Sequence, residues 1–581
     1  MKHLLYLNKY FWKYRTLLIS GSLLIVIANL FAIYPAEFVR KAFDAVLLSI
    51  ETETNHSQNI RNTLIQYGGL IVIFAILKGV FMYFMRQTII VMSRKIEFDI
   101  KNEIYKQYQQ LSMSFYKRNK TGDLMNRISE DVSKVRMYLG PAVMYTINII
   151  ILFYLVINKM YSISTTLTVY VLIPLPILAI TVYIVSVKIN KRSEKVQEQL
   201  SYATTFAQET FSGIKIIKSF HNEKNSLKTF INCCKLYTKK QLNLVKIEAI
   251  FFPLIITMIG ASTIITIYIG GIESFKGNIS TGNIAEFIIY VNMLAWPVAS
   301  VGWVTSLVQR AAASQKRINN FLLIESDIKN VTEKITPING DIQFKDVSLI
   351  YKDTNIKALN KINLTIKEGS TIGIFGKTGS GKSTLANLIC RMQDTTEGYI
   401  KFGKKNIKEL NLFILRKSIG YIPQDGYLFS GTLTENIAFS SNNINNEEVR
   451  IASKKAEIQS EITNFNNKFS TMIGERGIQL SGGQRQRVAI ARTFYKKPQL
   501  FIFDDCLSAI DSTKEQKILK NLKKESQGKT TIIISHRIAA LKSADQIIVL
   551  EKGEIIENGT HNQLLSNDGF YSKIYKQQCN N

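Results

Sequence analysis

The stretch that decides the fold reads Thr371-Ile372-Gly373-Ile374-Phe375-Gly376-Lys377-Thr378-Gly379-Ser380-Gly381-Lys382-Ser383. Its second half matches the phosphate-loop pattern G-x-x-x-x-G-K-[ST]. Both flanks that the pattern needs are present, an apolar strand before it and a helical run, Thr384-Leu385-Ala386, after it. Glycines let backbone N–H groups converge on phosphate oxygens, and a helix start adds a favourable dipole. On this reading Gly376, Lys377, Thr378, Gly379, Ser380, Gly381 and Thr384 cradle ATP. Lys382 meets the β- and γ-phosphates, and the Ser383 hydroxyl ligates Mg²⁺. The competing reading is a Gly-rich turn before a helix, and the strand in front speaks against it.

Two stretches further along agree with this. Leu500-Phe501-Ile502-Phe503-Asp504-Asp505 is an apolar strand ending in two carboxylates. Such a strand delivers Asp504 to the Mg²⁺ and puts Asp505 next to the attacking water. Leu480-Ser481-Gly482-Gly483-Gln484 precedes a helical run over 487–493, and a Ser-Gly-Gly turn at a helix start is a second anion cradle. Around these motifs lie short β-rich runs, Thr371–Phe375, Leu500–Phe503, Thr530–Ile534 and Gln546–Leu550, alternating with helical segments. That alternation predicts an α/β domain with a mostly parallel sheet.

The other half of the chain is different. Five stretches carry no Asp, Glu, Lys or Arg: Thr16–Ala36, Met137–Asn158, Met160–Val187, Ala249–Ile272 and Phe287–Gln309. A sixth, Leu64–Met92, is apolar apart from Lys78 and Arg86. Each reaches the ~20 residues that a helix needs to cross a bilayer core. The expectation is six transmembrane helices, with no amino-terminal domain fused ahead of the first. Segment Ser93–Arg136 holds ten Lys+Arg and Lys188–Lys246 holds twelve. The other side offers Arg61, Lys159 and Lys276, one per loop. Positive residues collect on the cytoplasmic side, so both termini are expected there, in the cell membrane. A tight turn around Lys159 is expected to join the third and fourth helices. The two long basic segments read as helices continuing into the cytoplasm, with a separately folded loop domain as the alternative. The polar run Asp327–Gly340 suits a linker. The expected division is 1–325 for the membrane domain, 326–340 for the linker and 341–581 for the nucleotide-binding domain.

Composition bounds the rest. The chain has 581 residues, 46% hydrophobic, with 73 Lys+Arg against 44 Asp+Glu, a net charge of +29. The apolar fraction excludes disorder, and five cysteines form no disulfide framework. The basic surplus fits a nucleic-acid binder or an anionic membrane surface. Its concentration beside the apolar stretches favours membrane topology, and nucleic acid is not expected as a partner.

With these motifs in this order, the sequence resembles the ATP-binding cassette (ABC) exporters in their half-transporter layout, one six-helix membrane domain followed by one cassette. The resemblance implies that Ser481, Gly482, Gly483 and Gln484 form the signature completing the ATP site of an opposing cassette. Tyr351 fits the aromatic that stacks on adenine, and Gln424 the glutamine that couples Mg²⁺ and water to the membrane domain. Asp511 fits the loop across the cassette dimer, and His536 the histidine that contacts the γ-phosphate. Thr471–Gly477 looks like the exporter-type loop before the signature. Ser114-Phe115-Tyr116 with Thr121-Gly122-Asp123-Leu124 resembles a first coupling segment, and Glu209–Lys215 a second. Tyr290, Pro297, Arg310, Ala311, Ser314 and Arg317-Ile318 fit the end of the sixth helix.

The sequence departs from the family at Asp505, where a Glu general base is usual. Asp is one methylene shorter, about 1.5 Å in reach, so this chain's own site is expected to bind ATP and hydrolyse it slowly. The expected assembly is a heterodimer with a second half-transporter carrying Glu there, and a homodimer is the alternative. ATP-driven export of a small amphipathic molecule, lipid or peptide is expected. The competing functions are an importer built on the exporter fold, as in siderophore uptake, and a regulatory ATP-binding subunit. Lys78 and Arg86 share a helix face, which is read first as an ion pair or snorkelling side chains, with a site for an acidic or anionic-lipid substrate as the alternative. Trp296 and Trp303 share a face, which fits lipid-interface packing at least as well as a drug pocket. Cys233 and Cys234 are adjacent, too close for an ordinary disulfide. The richness in Lys, Asn and Ile suggests a bacterial source.

Overall fold

The computed structural model describes residues 2–51, 57–335, 337–474, 477 and 480–579. The chain forms two compact units, Met1–Gln109 with Gly122–Ile324, and Gln110–Thr121 with Glu325–Asn581.

The first unit contains, among the described residues, six helices long and apolar enough to span a membrane. They are α1 (Arg15–Ile50), α2 (Ile60–Gln110), α3 (Thr121–Ile163), α4 (Thr165–Ser212), α5 (Glu223–Phe275) and α6 (Thr281–Leu322). The longest has 53 residues, which at 1.5 Å per residue is ~80 Å, against ~30 Å of hydrocarbon. The basic segments therefore continue the spanning helices, and no separately folded loop domain interrupts them. Half of the apolar window of α6 is buried, against 6% of that of α2. Thus α6 forms the centre of this unit, while α2 leaves its sides open.

Polar ties set the packing of these helices. Asn29 on α1 donates to Asn148 on α3 at 2.9 Å. The buried Asp131 on α3 accepts from Ser314 and from Arg317 Nε on α6, each at 2.9 Å. Tyr290 donates to the buried Glu286 at 2.7 Å. Two expectations change. Lys159 lies within α3, and the chain turns at Ser164, whose extended backbone lets its hydroxyl accept from Leu167 N–H and cap α4. A serine satisfies the free amides of a helix start, which a lysine does not. Lys159 instead reaches Glu37 at 3.4 Å. The first outer connection also carries more cations than Arg61 alone. Arg40 and Lys41 follow the first apolar stretch, and they pair with Glu286 at 3.4 Å and Glu37 at 3.0 Å. These pairings account for bases on the sparsely charged side.

The second unit is built on two main sheets. Strands β1 (Ile342–Ile350), β2 (Lys357–Ile366), β4 (Glu397–Phe402) and β5 (Lys405–Asn406) form an antiparallel sheet ordered β2-β1-β4-β5. The sequence reading did not anticipate it. Strands β3 (Thr371–Gly376), β6 (Ile419–Ile422), β9 (Leu500–Asp504), β10 (Thr530–Ile534), β11 (Gln546–Glu551) and β12 (Glu554–Gly559) form the second, ordered β12-β11-β3-β10-β9-β6. All its neighbours are parallel except β11 with β12. A short ribbon pairs β7 (Gly431–Thr432) with β8 (Met472–Ile473). Every residue of β9 and β10 is buried, as expected of parallel strands covered on both faces. The segment 323–341 has no helix or strand among its described residues.

Candidate functional site

Strands β3, β9 and β10 lie side by side in parallel, with Ile534 in register with both Ile374 and Asp504. Their carboxyl ends therefore open at one edge, where α/β sheets present ligand sites. From β3 comes the Gly-rich loop leading into α7 (Lys382–Ile389). Gly379 and Gly381 sit at φ +81° and +103°, backbone that side-chain-bearing residues rarely adopt. A Cβ on Gly381 would lie 2.6 Å from the Ala358 carbonyl. The concave backbone thus depends on glycine there. The buried Ser380 hydroxyl has no hydrogen-bond partner among the described residues.

Carboxylates and hydroxyls converge above this loop. Ser383 Oγ donates to Asp504 at 2.9 Å, and Tyr421 donates to the other Asp504 oxygen at 3.2 Å. Burial pushes the Asp504 carboxyl up, against the pull of these two donors. Lys382 Nζ donates to the loop carbonyls of Gly376 and Lys377 at 2.7 and 2.8 Å, and burial lowers its pKa. Asp505 has a left-handed backbone at φ 49°. Its N–H donates to Ile534 O at 2.9 Å, locking it to the end of β10. Two residues past β10, His536 Nδ1 lies 2.9 Å from Asp505 Oδ1.

These groups share one cavity of about 470 Å³. Its wall includes Thr378 to Thr384 of the loop together with Gln424, Asp504, Asp505 and His536. Tyr351, just after β1, closes one side, with its hydroxyl 3.1 Å from Thr384 Oγ1. Gly376 and Lys377 are not among the lining residues, and the Lys377 ammonium lies 5.2 Å from the centre of the Phe570 ring. Sequence reasoning missed Lys357, Lys552 and Gly553, which also line the cavity. They come from β2 and the turn after β11, brought close because Gly553 O accepts from Asn360 N–H at 2.9 Å. No local motif marks them. The oxygen set of Ser383 and Asp504 suits Mg²⁺, a hard cation that takes oxygen ligands.

Ser481, Gly482, Gly483, Gln484 and Asp511 do not line this cavity. They make a second cluster at the starts of α9 (Gly482–Lys496) and α10 (Ser512–Glu525). Ser481 caps α9 reciprocally with Gln484, and Asp511 caps α10 through Lys514 N–H. A Cβ on Gly483 would lie 2.7 Å from Ala509 O. The buried Gln486 accepts from Ala509 N–H at 3.2 Å and donates to Gln424 O at 3.4 Å, joining the two clusters. Within the Thr471–Gly477 loop, Glu475 and Arg476 lie outside the described residues.

The segment Gln110–Thr121, which connects α2 to α3, packs with the second unit. Ser114 donates to Asp327 at 2.5 Å, and Lys117 Nζ lies 5.0 Å from the centre of the Tyr351 ring. In the first unit, Trp296 and Trp303 both line a cavity of about 1090 Å³ with Tyr145, Phe251, Glu248 and Arg310. Lys78 and Arg86 are exposed, and neither has an acidic partner within 4.0 Å among the described residues. Cys233 and Cys234 are free thiols.

Comparison with known proteins agrees with this architecture. The profile of the ABC transporter transmembrane region matches residues 18–298, and that of the ABC transporter cassette matches 359–508. The probable multidrug resistance ABC transporter ATP-binding/permease protein YheI of Bacillus subtilis is 31% identical, over 100% of this chain and 97% of its own. The multidrug resistance-like ATP-binding protein MdlA of Escherichia coli is 30% identical, over 97% and 95%. The ATP-dependent lipid A-core flippase of Syntrophus aciditrophicus is 31% identical, over 87% and 84%. Among solved structures, a bacterial Atm1-family ABC exporter with ATP bound superposes at TM-score 0.81, with 22% identity, over 97% of this chain and 99% of that one.

Proposed function

We propose that this chain, which belongs to the ABC transporter family, is one half of an ATP-driven exporter in a bacterial cell membrane. It is a multi-pass membrane protein whose cassette binds ATP and couples its hydrolysis to transport. Residues 1–325 form the membrane domain, 326–340 the linker and 341–581 the cassette, with both termini cytoplasmic. The observation that carries the reading is the convergence of the loop lysine Lys382, the Ser383–Asp504 pair and Tyr351 on one cavity.

In this reading Tyr351 stacks on adenine and the 376–384 loop holds the phosphates. Ser383, Asp504 and Gln424 hold Mg²⁺, which when bound neutralises charge on the β- and γ-phosphates. Asp505 and His536 face the γ-phosphate. Ser481 to Gln484 and Asp511 face the opposing cassette and complete its site. Asp505 makes this chain's own site slow, and the partner is a second half-transporter with a Glu general base. The coupling segments around Tyr116–Asp123 and Thr210–Ile216 pass closure to the membrane helices. The cargo is a small amphipathic molecule, lipid or peptide. The aromatic wall around Trp296 and Trp303 supports that class, as does the similarity to multidrug resistance transporters and a lipid A-core flippase.

The experiment is ATP-dependent uptake of an amphipathic fluorescent dye into inside-out vesicles holding the transporter. Uptake that disappears in Lys382→Ala supports export. No vesicle uptake, with ATP-dependent uptake into cells, makes the protein an importer. Transport that survives Lys382→Ala assigns this chain a regulatory role.

A further inference from the structure

We propose that Glu461 is a positioning residue that ties the signature loop to the Asp511 loop, so that the two move as one body. Glu461 lies on a short helix, α8 (Gln459–Thr463), outside every motif read from the sequence. Its carboxylate accepts four hydrogen bonds from three side chains. Gln484 Nε2 donates at 2.9 Å, Arg487 Nη1 and Nη2 at 2.8 and 3.0 Å, and Lys514 Nζ at 2.7 Å. Gln484 and Arg487 belong to α9, and Lys514 belongs to α10.

The three contacts differ in kind. The Arg487 side chain is 5% exposed, so its charge must be met inside the protein, and a two-pronged carboxylate does this. Gln484 is held at both ends of its amide. Its oxygen accepts from Ser481 N–H at 2.9 Å while its nitrogen donates to Glu461. The orientation of the first turn of α9 is therefore set from α8. Lys514, 35% exposed, adds the arm to α10, three residues beyond Asp511. Gly483 approaches Ala509 closely as well, so the same two loops meet twice. A displacement of either reaches the other through Lys514, Glu461 and Gln484. This inference rests on the reading that both loops face the opposing ATP site, where misplacement by ~1 Å costs ~10²-fold in rate.

The test uses the assembled transporter carrying Lys514→Met, which removes the exposed arm and leaves the Arg487–Glu461 pair intact. Hydrogen exchange at the backbone of residues 482–485 is expected to rise, although Lys514 touches none of them. Maximal ATP turnover is expected to fall about tenfold, with KM for ATP unchanged, the melting temperature only slightly lower, and recovery in Lys514→Arg. Unchanged exchange overturns the proposal. So does turnover that stays at the wild-type level, or that falls only as the melting temperature falls. A wild-type transporter with no ATP turnover counts against the ATP reading alone, and the exchange measurement still decides the coupling.

Discussion

The Nδ1 of His536 lies 2.9 and 3.0 Å from the two oxygens of Asp505. A ring N–H at Nδ1 donates to that carboxylate, so the Asp505 side chain is already engaged by the histidine just past the end of the neighbouring strand. On the proposed reading, in which Asp505 faces the attacking water, this contact competes with that water, and the side chain is one methylene shorter than a Glu.

Asp505→Glu is therefore expected to raise ATP turnover of the purified chain, by about ten- to a hundredfold if the deficit in reach is near 1 Å. Asp505→Asn is expected to change the low turnover of the chain alone very little. The measurement is steady-state phosphate release from the chain without a partner. Robust wild-type turnover that Asp505→Asn leaves in place removes the asymmetric reading.

Gly483→Ala separates binding from turnover. The added Cβ would meet Ala509 O at 2.7 Å, against backbone rather than a flexible side chain. The phosphate-loop cavity does not include Gly483. Nucleotide binding to this chain, read by a fluorescent ATP analogue, is expected to stay within about twofold, while turnover of the assembled transporter falls at least about tenfold. Equal losses of binding and turnover would place Gly483 in this chain's own nucleotide site.

Lys117 tests how the segment between α2 and α3 bears on the cavity through Tyr351. Its ammonium lies over the Tyr351 ring, on the wall shared with the phosphate-loop cavity. An exposed cation–π contact contributes about 0.5–1 kcal/mol. Lys117→Ala is thus expected to weaken ATP binding about two- to fivefold, with Lys117→Arg near wild type. Titration of a nucleotide analogue against both variants decides it, and equal affinity in all three proteins leaves Tyr351 independent of that contact.

Glu461 carries a pH signature. Burial works to raise its carboxyl, but hydrogen bonds from Lys514, Arg487 and Gln484 outweigh this and hold it below the usual range. A group depressed in the folded state adds stability above its unfolded pKa, and that contribution is lost as pH falls through the folded value. The melting temperatures of the full chain and Glu461→Gln should differ most near pH 7. They should converge as the pH drops below about 4, and a difference that persists undiminished well below that limit would refute the assignment.

Sequence alone determined what depends on local pattern. Charge-free runs long enough to cross a bilayer, a strand before a Gly-rich loop and two carboxylates ending another strand are contiguous signals. The spanning helices and the central strands appear where those signals lie. Ser164 as the true end of α3 was also written locally, since it caps α4, but the nearby lysine drew the turn to Lys159. Tertiary structure decided what depends on residues distant in the chain. Lys357 and Lys552 reach the cavity where Gly553 O accepts from Asn360 N–H and Gly553 N–H donates to Ser380 O. Glu461 binds Arg487 and Lys514 across 26 and 53 residues. Hydrophobic period and motif spacing report on neighbours along the chain. Which carboxylate meets which cation is settled only when the sheet and its covering helices close around them.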